Sequence, residues 1–330
     1  MLEGLLLILI AGIFQGAFIG PLGLQKGWSW ENGWFIFSLL GMFALNWVVA
    51  FFYIPDLCAV YGTLPISDLV ILGLLGIGWG CGSVLFGIGM DKLGMSLGYP
   101  IIMGLLSLLG TIIPLFINDL DSLFSLRVLL LLLGSVIVLI GIIICTKAHD
   151  LKVTESKTDT NHSMGTILIA VGAGVLSCLP NVGASVGKSV TEAATAAGAS
   201  SFMAGNAVWA FLFTFGLLPN IGYTIYLLKR NHSFKYFKNN LMRNTLAGLL
   251  MSFLWISSFY LYGAGASQMG NWGLIIGWPL FISLSIVIGN ILGLLKGEWT
   301  GASIIARKKL NQGMLLIIVA MIIIGICNLF

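Results

Sequence analysis

The chain has 330 residues, of which 58% are hydrophobic and 8% charged, and its mean hydropathy is +1.03. A soluble domain carries about 25% charged residues, so this composition excludes a soluble globular protein and indicates a polytopic membrane protein. The formal net charge of +4 is spread through the loops, which argues against binding to nucleic acid. The five cysteines are odd in number and lie mostly in apolar runs, as buried cysteines do, so neither disulfides nor a metal site is expected.

Ten runs of about 20 apolar residues, the length that crosses a bilayer, predict an all-α fold with ten transmembrane helices. The first run lacks the basic leader and the small-residue cleavage site of a signal peptide, so we expect it to be retained. The predicted limits are 3–24, 34–54, 68–90, 95–116, 126–146, 164–187, 200–228, 241–262, 272–295 and 313–329.

One hydrophilic segment, 147–163, divides the chain into two units of five predicted helices, 1–146 and 164–330. Because five is odd, the second unit must enter the membrane from the opposite face, which predicts an inverted repeat. Secondary transporters are commonly built from such repeats and hold their substrate between the two units, near the middle of the bilayer.

A glycine-rich pattern that occurs once in each unit supports the duplication. Trp79 and Trp255 are each followed by a glycine 15 residues later, and Gly98-Tyr99-Pro100 corresponds to Gly277-Trp278-Pro279. Small residues let helix backbones approach closely in lipid. The shared spacing therefore indicates two copies of one helix-packing pattern.

Lysine and arginine predict the orientation. Of the 16 such residues, only Arg127 and Lys188 lie outside the loops that follow the odd-numbered helices. Basic loops stay in the cytoplasm, so segment 147–163 is expected to be a cytoplasmic linker and both termini are expected on the outer side of the membrane. We call the face with these loops the basic side and the opposite face the outer side.

Few residues in the chain offer catalytic chemistry. His149, His162 and His232 fall in predicted loops without the spacing of metal ligands, and no carboxylate pair stands out within a helix. The chain is therefore not expected to be an enzyme or to hold a cofactor or a metal.

Polar side chains beside aromatic residues on glycine-broken helices are the candidates for binding. Amides and hydroxyls next to flat rings suit a sugar, whose C–H face packs on the ring while its hydroxyls form hydrogen bonds. The alternative interpretation is hydrogen bonding between helices and aromatic belts at the membrane interfaces. The candidate substrate-binding residues are Gln15, Trp79, Ser83, Asn181, Asn206, Trp209, Trp255, Ser258, Tyr262 and Gln268.

Lys188 and Glu192 are the candidates for proton coupling. They stand four residues apart at the outer end of the sixth helix, so they share a face if the helix continues. Desolvation would help Glu192 to exchange protons in the physiological range. The alternative is an interfacial ion pair in which Lys188 extends to water.

Several segments in order resemble the bacterial L-rhamnose–proton symporter family of the drug/metabolite transporter superfamily. They are residues 26–31 (Lys-Gly-Trp-Ser-Trp-Glu), 79–82 (Trp-Gly-Cys-Gly), 87–98, Lys188 with 192–198, and 295–299 (Leu-Lys-Gly-Glu-Trp). The resemblance covers nearly the whole length. It implies two inverted five-helix units and uptake of a neutral sugar together with a proton by alternating access.

Two functions stay open at this point. The first is proton-coupled import of a rhamnose-like sugar or related polyol, and the second is export or exchange of another small metabolite. The expected partners are the substrate, a proton and the lipid bilayer, with a homodimer as an open alternative.

Overall fold

The structure, a computed structural model, describes residues 2–152 and 164–327, with the backbone alone at 95 and 96. Its secondary structure in these ranges is helical, and ten helices are long and apolar enough to cross a membrane. We number them α1 to α10: Leu2–Leu24, Trp30–Tyr53, Ile66–Gly94, Leu97–Asn118, Leu126–Lys152, Met164–Val186, Asn206–Arg230, Leu241–Gln268, Gly270–Leu295 and Ile304–Ile326.

The ten-helix prediction is confirmed, while several predicted ends were displaced. The seventh helix begins at Asn206 instead of 200, and the tenth at Ile304 instead of 313, because the polar start of α10 is helical although it is not apolar. Helix α5 continues to Lys152, so it includes the first residues of the predicted linker. The rest of that linker, 153–163, lies outside the described residues.

Four of these helical segments depart from α-helical geometry inside or between the spans. Helix α1 changes into a 3-10 turn at Gly20–Leu24, and α2 contains a π-helical segment at Ser38–Ala44. Helix α6 is interrupted at Cys178, just before Pro180, which matches the break expected from that proline. The chain turns from α3 into α4 at Gly94, whose φ of 67° is a conformation that glycine adopts without strain.

The two units pack against each other in a reciprocal manner. Helix α1 of the first unit packs on α8 and α9, and α6 of the second unit packs on α3 and α4. The same holds for the pair formed by α5 and α10, which contact each other at the periphery.

Glycines allow the closest of these approaches. A Cβ atom on Gly80 of α3 would lie 2.3 Å from the carbonyl oxygen of Gly216 on α7, too close for any side chain. These two helices can therefore touch backbone to backbone, as expected for packing in lipid.

Candidate functional site

A cluster of aromatic rings fills the centre of the molecule. The rings of Trp79 and Trp255 stack with centroids 5.6 Å apart and planes 19° apart, and Phe213 packs against both at 4.8 and 4.7 Å. Each tryptophan stands near the middle of its helix, about 20 Å from either end at 1.5 Å per residue. The predicted residues Trp79 and Trp255 thus come together about halfway along their helices.

Trp209 extends this cluster toward the outer side. Its ring lies 5.7 Å from that of Phe213 and 5.4 Å from that of Phe259. Its Nε1 atom is buried and has no hydrogen-bond partner among the described residues. Gly263 of α8 leaves room for this atom: a Cβ atom on Gly263 would lie only 2.9 Å from Nε1 of Trp209 and would clash with it. A buried donor without a partner costs about 1–3 kcal/mol, so a hydroxyl group or water beside Trp209 would relieve this cost.

Asn181 is the centre of the polar network on the outer side of the rings. It is fully buried, and its Nδ2 donates to the carbonyl oxygens of Gly110 at 2.7 Å and Leu274 at 3.0 Å. Its Oδ1 accepts a short hydrogen bond from the hydroxyl of Tyr262. The break in α6 places this amide, because Asn181 lies in the first turn after the interruption at Cys178. Asn181 therefore ties α6 to α4, α8 and α9.

Ser83 belongs to a second polar network, on the basic side of the rings. Its Oγ donates to Oδ1 of Asn220 at 3.1 Å, and the same oxygen accepts from Nε1 of Trp34 at 3.1 Å. Asn220 is 1% exposed and also donates to the carbonyl oxygen of Gly216 at 3.0 Å. Ser83 and Asn220 thus join α3 and α7 below the aromatic cluster.

Gln15 and Ser258 also meet. Oγ of Ser258 lies 2.8 Å from Oε1 of Gln15 and 2.6 Å from the carbonyl oxygen of Trp255. Gln15 is half-buried, so part of its amide remains available for another partner. This pair joins α1 to α8 beside the central rings.

Two candidate residues lie apart from the cluster. Asn206 is buried at the start of α7, where its Nδ2 lies 3.2 Å from Sδ of Met203. Gln268 is exposed at the last residue of α8. The structure therefore brings together eight of the ten predicted substrate residues, from Gln15 to Tyr262, and leaves Asn206 and Gln268 at the outer margin.

Lys188 and Glu192 form an ion pair, as their spacing suggested. Nζ of Lys188 lies 3.7 Å from Oε1 of Glu192, on a short helix, Lys188–Ala196, that continues the outer end of α6. The two side chains are 73% and 67% exposed. The desolvation that would favour proton exchange at Glu192 is absent from this arrangement, and surface pairs of this kind contribute at most about 1 kcal/mol.

A polar seam closes the basic side. It joins residues 25–32, between α1 and α2, to residues 231–244, between α7 and α8, and we call it the basic-side seam. Asn244 donates to the carbonyl oxygens of Lys26 at 2.9 Å and Asn239 at 3.0 Å, and its Oδ1 accepts from the amide nitrogen of Lys26 at 2.9 Å. One side chain of the second unit therefore satisfies the backbone of a first-unit loop.

Glu31 lies at the buried end of this seam. Its side chain is 5% exposed, and its Oε1 accepts from Oγ of Ser233 at 2.6 Å and from Nδ2 of Asn231 at 3.0 Å. It stands in the first turn of α2, where the partial positive charge of the helix start favours a carboxylate. Glu31 therefore links the start of α2 to the end of α7 without an ion pair among the described residues.

Sequence reasoning missed several buried polar residues that organise the site. Asn46 is fully buried and donates to the carbonyl oxygen of Trp209 at 3.0 Å, and its Oδ1 accepts from the hydroxyl of Tyr260 at 2.6 Å. Asn46 and Asn220 each stand among apolar neighbours, and that isolation was the available signal, whereas Glu31 lies in the polar segment around the start of α2. These residues were overlooked because the helices or loops that supply their partners are distant in sequence.

Comparison with known proteins gives a consistent result. The family model for the L-rhamnose-proton symport protein (RhaT) matches residues 1–329. The L-rhamnose-proton symporter of Citrobacter koseri is 29% identical over 328 residues, which are 96% of this chain and 95% of that protein. The L-rhamnose-proton symporters of Escherichia coli and Shigella flexneri are each 28% identical with the same coverage.

Proposed function

Because this chain belongs to the L-rhamnose-proton symport protein family, we propose that it imports a neutral sugar, L-rhamnose or a related polyol, together with a proton. The match of the family model over residues 1–329 is the observation that carries this proposal. Membership places the chain among transporters and not among enzymes, and it does not favour export of another metabolite. With its ten apolar helices, the chain is a multi-pass protein of the bacterial inner membrane.

The central cluster supports a sugar as the substrate. The rings of Trp79, Trp209 and Trp255 offer flat apolar faces, and the amides of Gln15 and Asn181 lie beside them. The unpartnered Nε1 of Trp209 supplies a donor for a hydroxyl. Because the rings fill the centre in this conformation, they must separate from one another before a sugar can enter.

Two reciprocal hydrogen-bonded pairs support the inverted repeat, which alternating access would use. Asn46 of α2 bonds to Tyr260 of α8, and Asn220 of α7 bonds to Ser83 of α3. The helix pairs α2–α8 and α7–α3 are exchanged when the first unit is rotated onto the second. A residue on the rotation axis would meet its own counterpart, as the stacked pair formed by Trp79 and Trp255 does.

The orientation proposed from the basic loops puts the seam on the cytoplasmic side and both termini outside. The polar contacts of the seam then hold the cytoplasmic side shut in this conformation. Import would require the seam to open once sugar and proton are bound, so that the substrate is released inward.

Transport into proteoliposomes tests the proposal. Purified protein is reconstituted, an inwardly directed proton gradient is imposed, and accumulation of labelled L-rhamnose is measured beside a panel of other neutral sugars. We expect accumulation that a protonophore abolishes, together with alkalinisation of the external medium when sugar is added. Accumulation that is indifferent to the protonophore, or no uptake of any neutral sugar, would contradict it.

A further inference from the structure

A cavity that the central site does not use lies near the basic side. Its volume is about 170 Å³, and it is bounded by α4, α5, α9 and the turn that follows α9. At a share of about 30 Å³ per molecule, it has room for about five waters. We call it the basic-side cavity; the polar groups that face it come from Tyr99, Thr146, His149, Asn290, Glu298 and Trp299.

One buried donor in the wall of this cavity has no protein partner. Trp299 is 2% exposed, and its Nε1 forms no hydrogen bond with the described residues. A cavity of this volume with several polar side chains in its wall has room and hydrogen-bond partners for water. Glu298 and Trp299 belong to the segment 295–299 that carried part of the family resemblance. Both residues line this cavity.

His149 is the side chain in this cavity best suited to exchange a proton near neutral pH. Its Nε2 lies 3.4 Å from Oδ1 of Asn290, whose Nδ2 donates to the carbonyl oxygen of Ile286 at 2.9 Å. With the amide in this orientation, a ring that carries its hydrogen on Nε2 donates to Oδ1 of Asn290. In the neutral ring Nδ1 is then the nitrogen that accepts a proton.

The charges around His149 come from two elements. Burial opposes a positive ring most strongly, and on α5 itself Lys152 opposes it as well. Glu298 on the turn after α9 and Asp150 on α5 favour it. The other titratable groups in the cavity wall are Tyr99 of α4 and Cys145 of α5, and the part of α9 that faces the ring contributes only the neutral Asn290. The ring of Trp299 packs edge-on against the imidazole, with centroids 4.8 Å apart.

The position of the cavity connects this proton to the motion of the two units. Helix α5 belongs to the first unit and α9 to the second, and the bond between His149 and Asn290 bridges them. Glycines 289 and 293 of α9 also line the cavity, and Gly16 of α1 lies against the same part of α9, facing Ser285 and Ile288. A charge on His149 therefore acts on α9, and α9 also packs against α1, the helix that carries Gln15.

We propose that His149 binds the cotransported proton on the basic side, in the cavity between α5 and α9. The inference rests on the proposed symport and adds the proton site, which the central rings do not supply. The proton on Nδ1 adds an attraction between α5 and the carboxylate of Glu298 on the turn after α9, and loss of the proton to the basic side removes this attraction while the bond to Asn290 remains.

His149→Gln tests the assignment in proteoliposomes. Two quantities are measured with L-rhamnose as the probe: accumulation driven by a proton gradient, and exchange of labelled for unlabelled sugar at equal concentrations. Coupling between two sites commonly changes an equilibrium by about 5–150-fold, so we expect the ratio of accumulation to exchange to fall about tenfold. The rise or fall of exchange between pH 5 and pH 8 should flatten in the variant, as a structural role alone would not require.

The controls separate this inference from the proposed function. His162→Gln removes a histidine from the predicted linker, outside both the cavity and the seam, and it should behave as the wild type. If the wild type itself moves no protons with sugar, the symport proposal fails. If the wild type is coupled and His149→Gln stays equally coupled, the assignment to His149 is wrong, and loss of coupling in Glu192→Gln instead would place the proton site at the outer pair.

A second variant keeps the test decisive if His149→Gln does not reach the membrane. Glu298→Gln removes a negative charge that favours the protonated ring, on an exposed turn where the fold tolerates it. The pH midpoint of sugar exchange should then move to a lower pH. An unchanged midpoint would overturn the proposal.

Discussion

At the scale of single residues, the informative feature is a tryptophan donor left without a partner. Trp209 and Trp278 are both 1% exposed, but Nε1 of Trp278 donates to the carbonyl oxygen of Leu106 at 3.0 Å, whereas Nε1 of Trp209 has no partner among the described residues. The two tryptophans are thus equally buried, and they differ in whether the indole N–H donates a hydrogen bond within the protein. From this difference we propose that Trp209 takes part in binding and that Trp278 is structural.

The same substitution at the two positions should therefore have different effects. Trp209→Phe keeps the stacked ring and removes the N–H, so the apparent KM for sugar should rise about fivefold, the equivalent of one hydrogen bond of about 1 kcal/mol. Its melting temperature should stay near that of the wild type. Trp278→Phe should instead lower the melting temperature, because it deprives the Leu106 carbonyl of its donor. An unchanged KM in Trp209→Phe would show that this N–H does not meet the substrate.

Individual residues also show where sequence reasoning stops. Trp79 and Trp255 were named as candidates because tryptophans repeat at a shared spacing in both units. Asn220 and Glu31 were missed because their partners are distant in sequence: Trp34 is 186 positions from Asn220, and Ser233 is 202 from Glu31. Periodicity identifies which residues share a helix face, but it does not identify which helix will cover that face.

At the scale of helices, some glycines are required for close packing between two helices, and others have no neighbour that a side chain would meet. Gly80 faces a backbone carbonyl on α7, whereas Gly87, two turns later on the same helix, has no atom within 4 Å of its Cβ position. Hydropathy found both glycines within one apolar run and could not distinguish them. The ten helices were accessible from the sequence for the same reason, since length and apolarity suffice to define a span.

These two glycines provide a matched pair of substitutions. Gly80→Ala should push α3 from α7 and cost about 1–3 kcal/mol, the usual penalty for overpacking. Gly87→Ala should leave stability unchanged or slightly higher, because alanine is the better helix former. Thermal unfolding of the purified variants in detergent measures both. Equal melting temperatures for the two variants would contradict backbone contact between α3 and α7.

The basic-side seam is a further feature at this scale, and its strength can be measured locally. Glu31→Gln weakens two hydrogen bonds to a charged acceptor, each worth about 1.5–3 kcal/mol. Backbone amide exchange in 25–32 and 231–244 should therefore become about tenfold faster or more. Ser233→Ala should have a smaller effect, because Asn231 still donates to the carboxylate. The turn at 296–303 serves as an internal reference, and faster exchange there as well would mean general unfolding and not opening of the seam.

At the scale of the whole molecule, the proposed orientation follows from the distribution of charge. Only Arg127 and Lys188 are basic on the outer side, so the two faces differ strongly in positive charge. The structure adds a native reporter for this prediction: Cys58 is the exposed one among the five cysteines, and it lies on the short helix Leu57–Gly62 between α2 and α3.

Labelling of intact cells tests the orientation. A membrane-impermeant maleimide should label the wild type, and Cys58→Ala should lose that label. In a Cys58→Ala background, Lys235→Cys places a thiol on an exposed position of the basic side, and it should react only after the membrane is permeabilised. The reverse labelling pattern would show that the protein has the opposite orientation, with both termini in the cytoplasm.

The ring-filled centre has a consequence for the cell that holds the protein. Ion leakage through a membrane protein needs a continuous file of water or polar groups, and the contacts of Trp79, Trp255, Phe213, Phe259 and Trp209 interrupt such a file at mid-depth. We therefore expect an idle molecule in this conformation to conduct few ions. A bacterium could keep many copies in its membrane between periods of sugar supply without dissipating the gradient that drives its other energy-dependent processes.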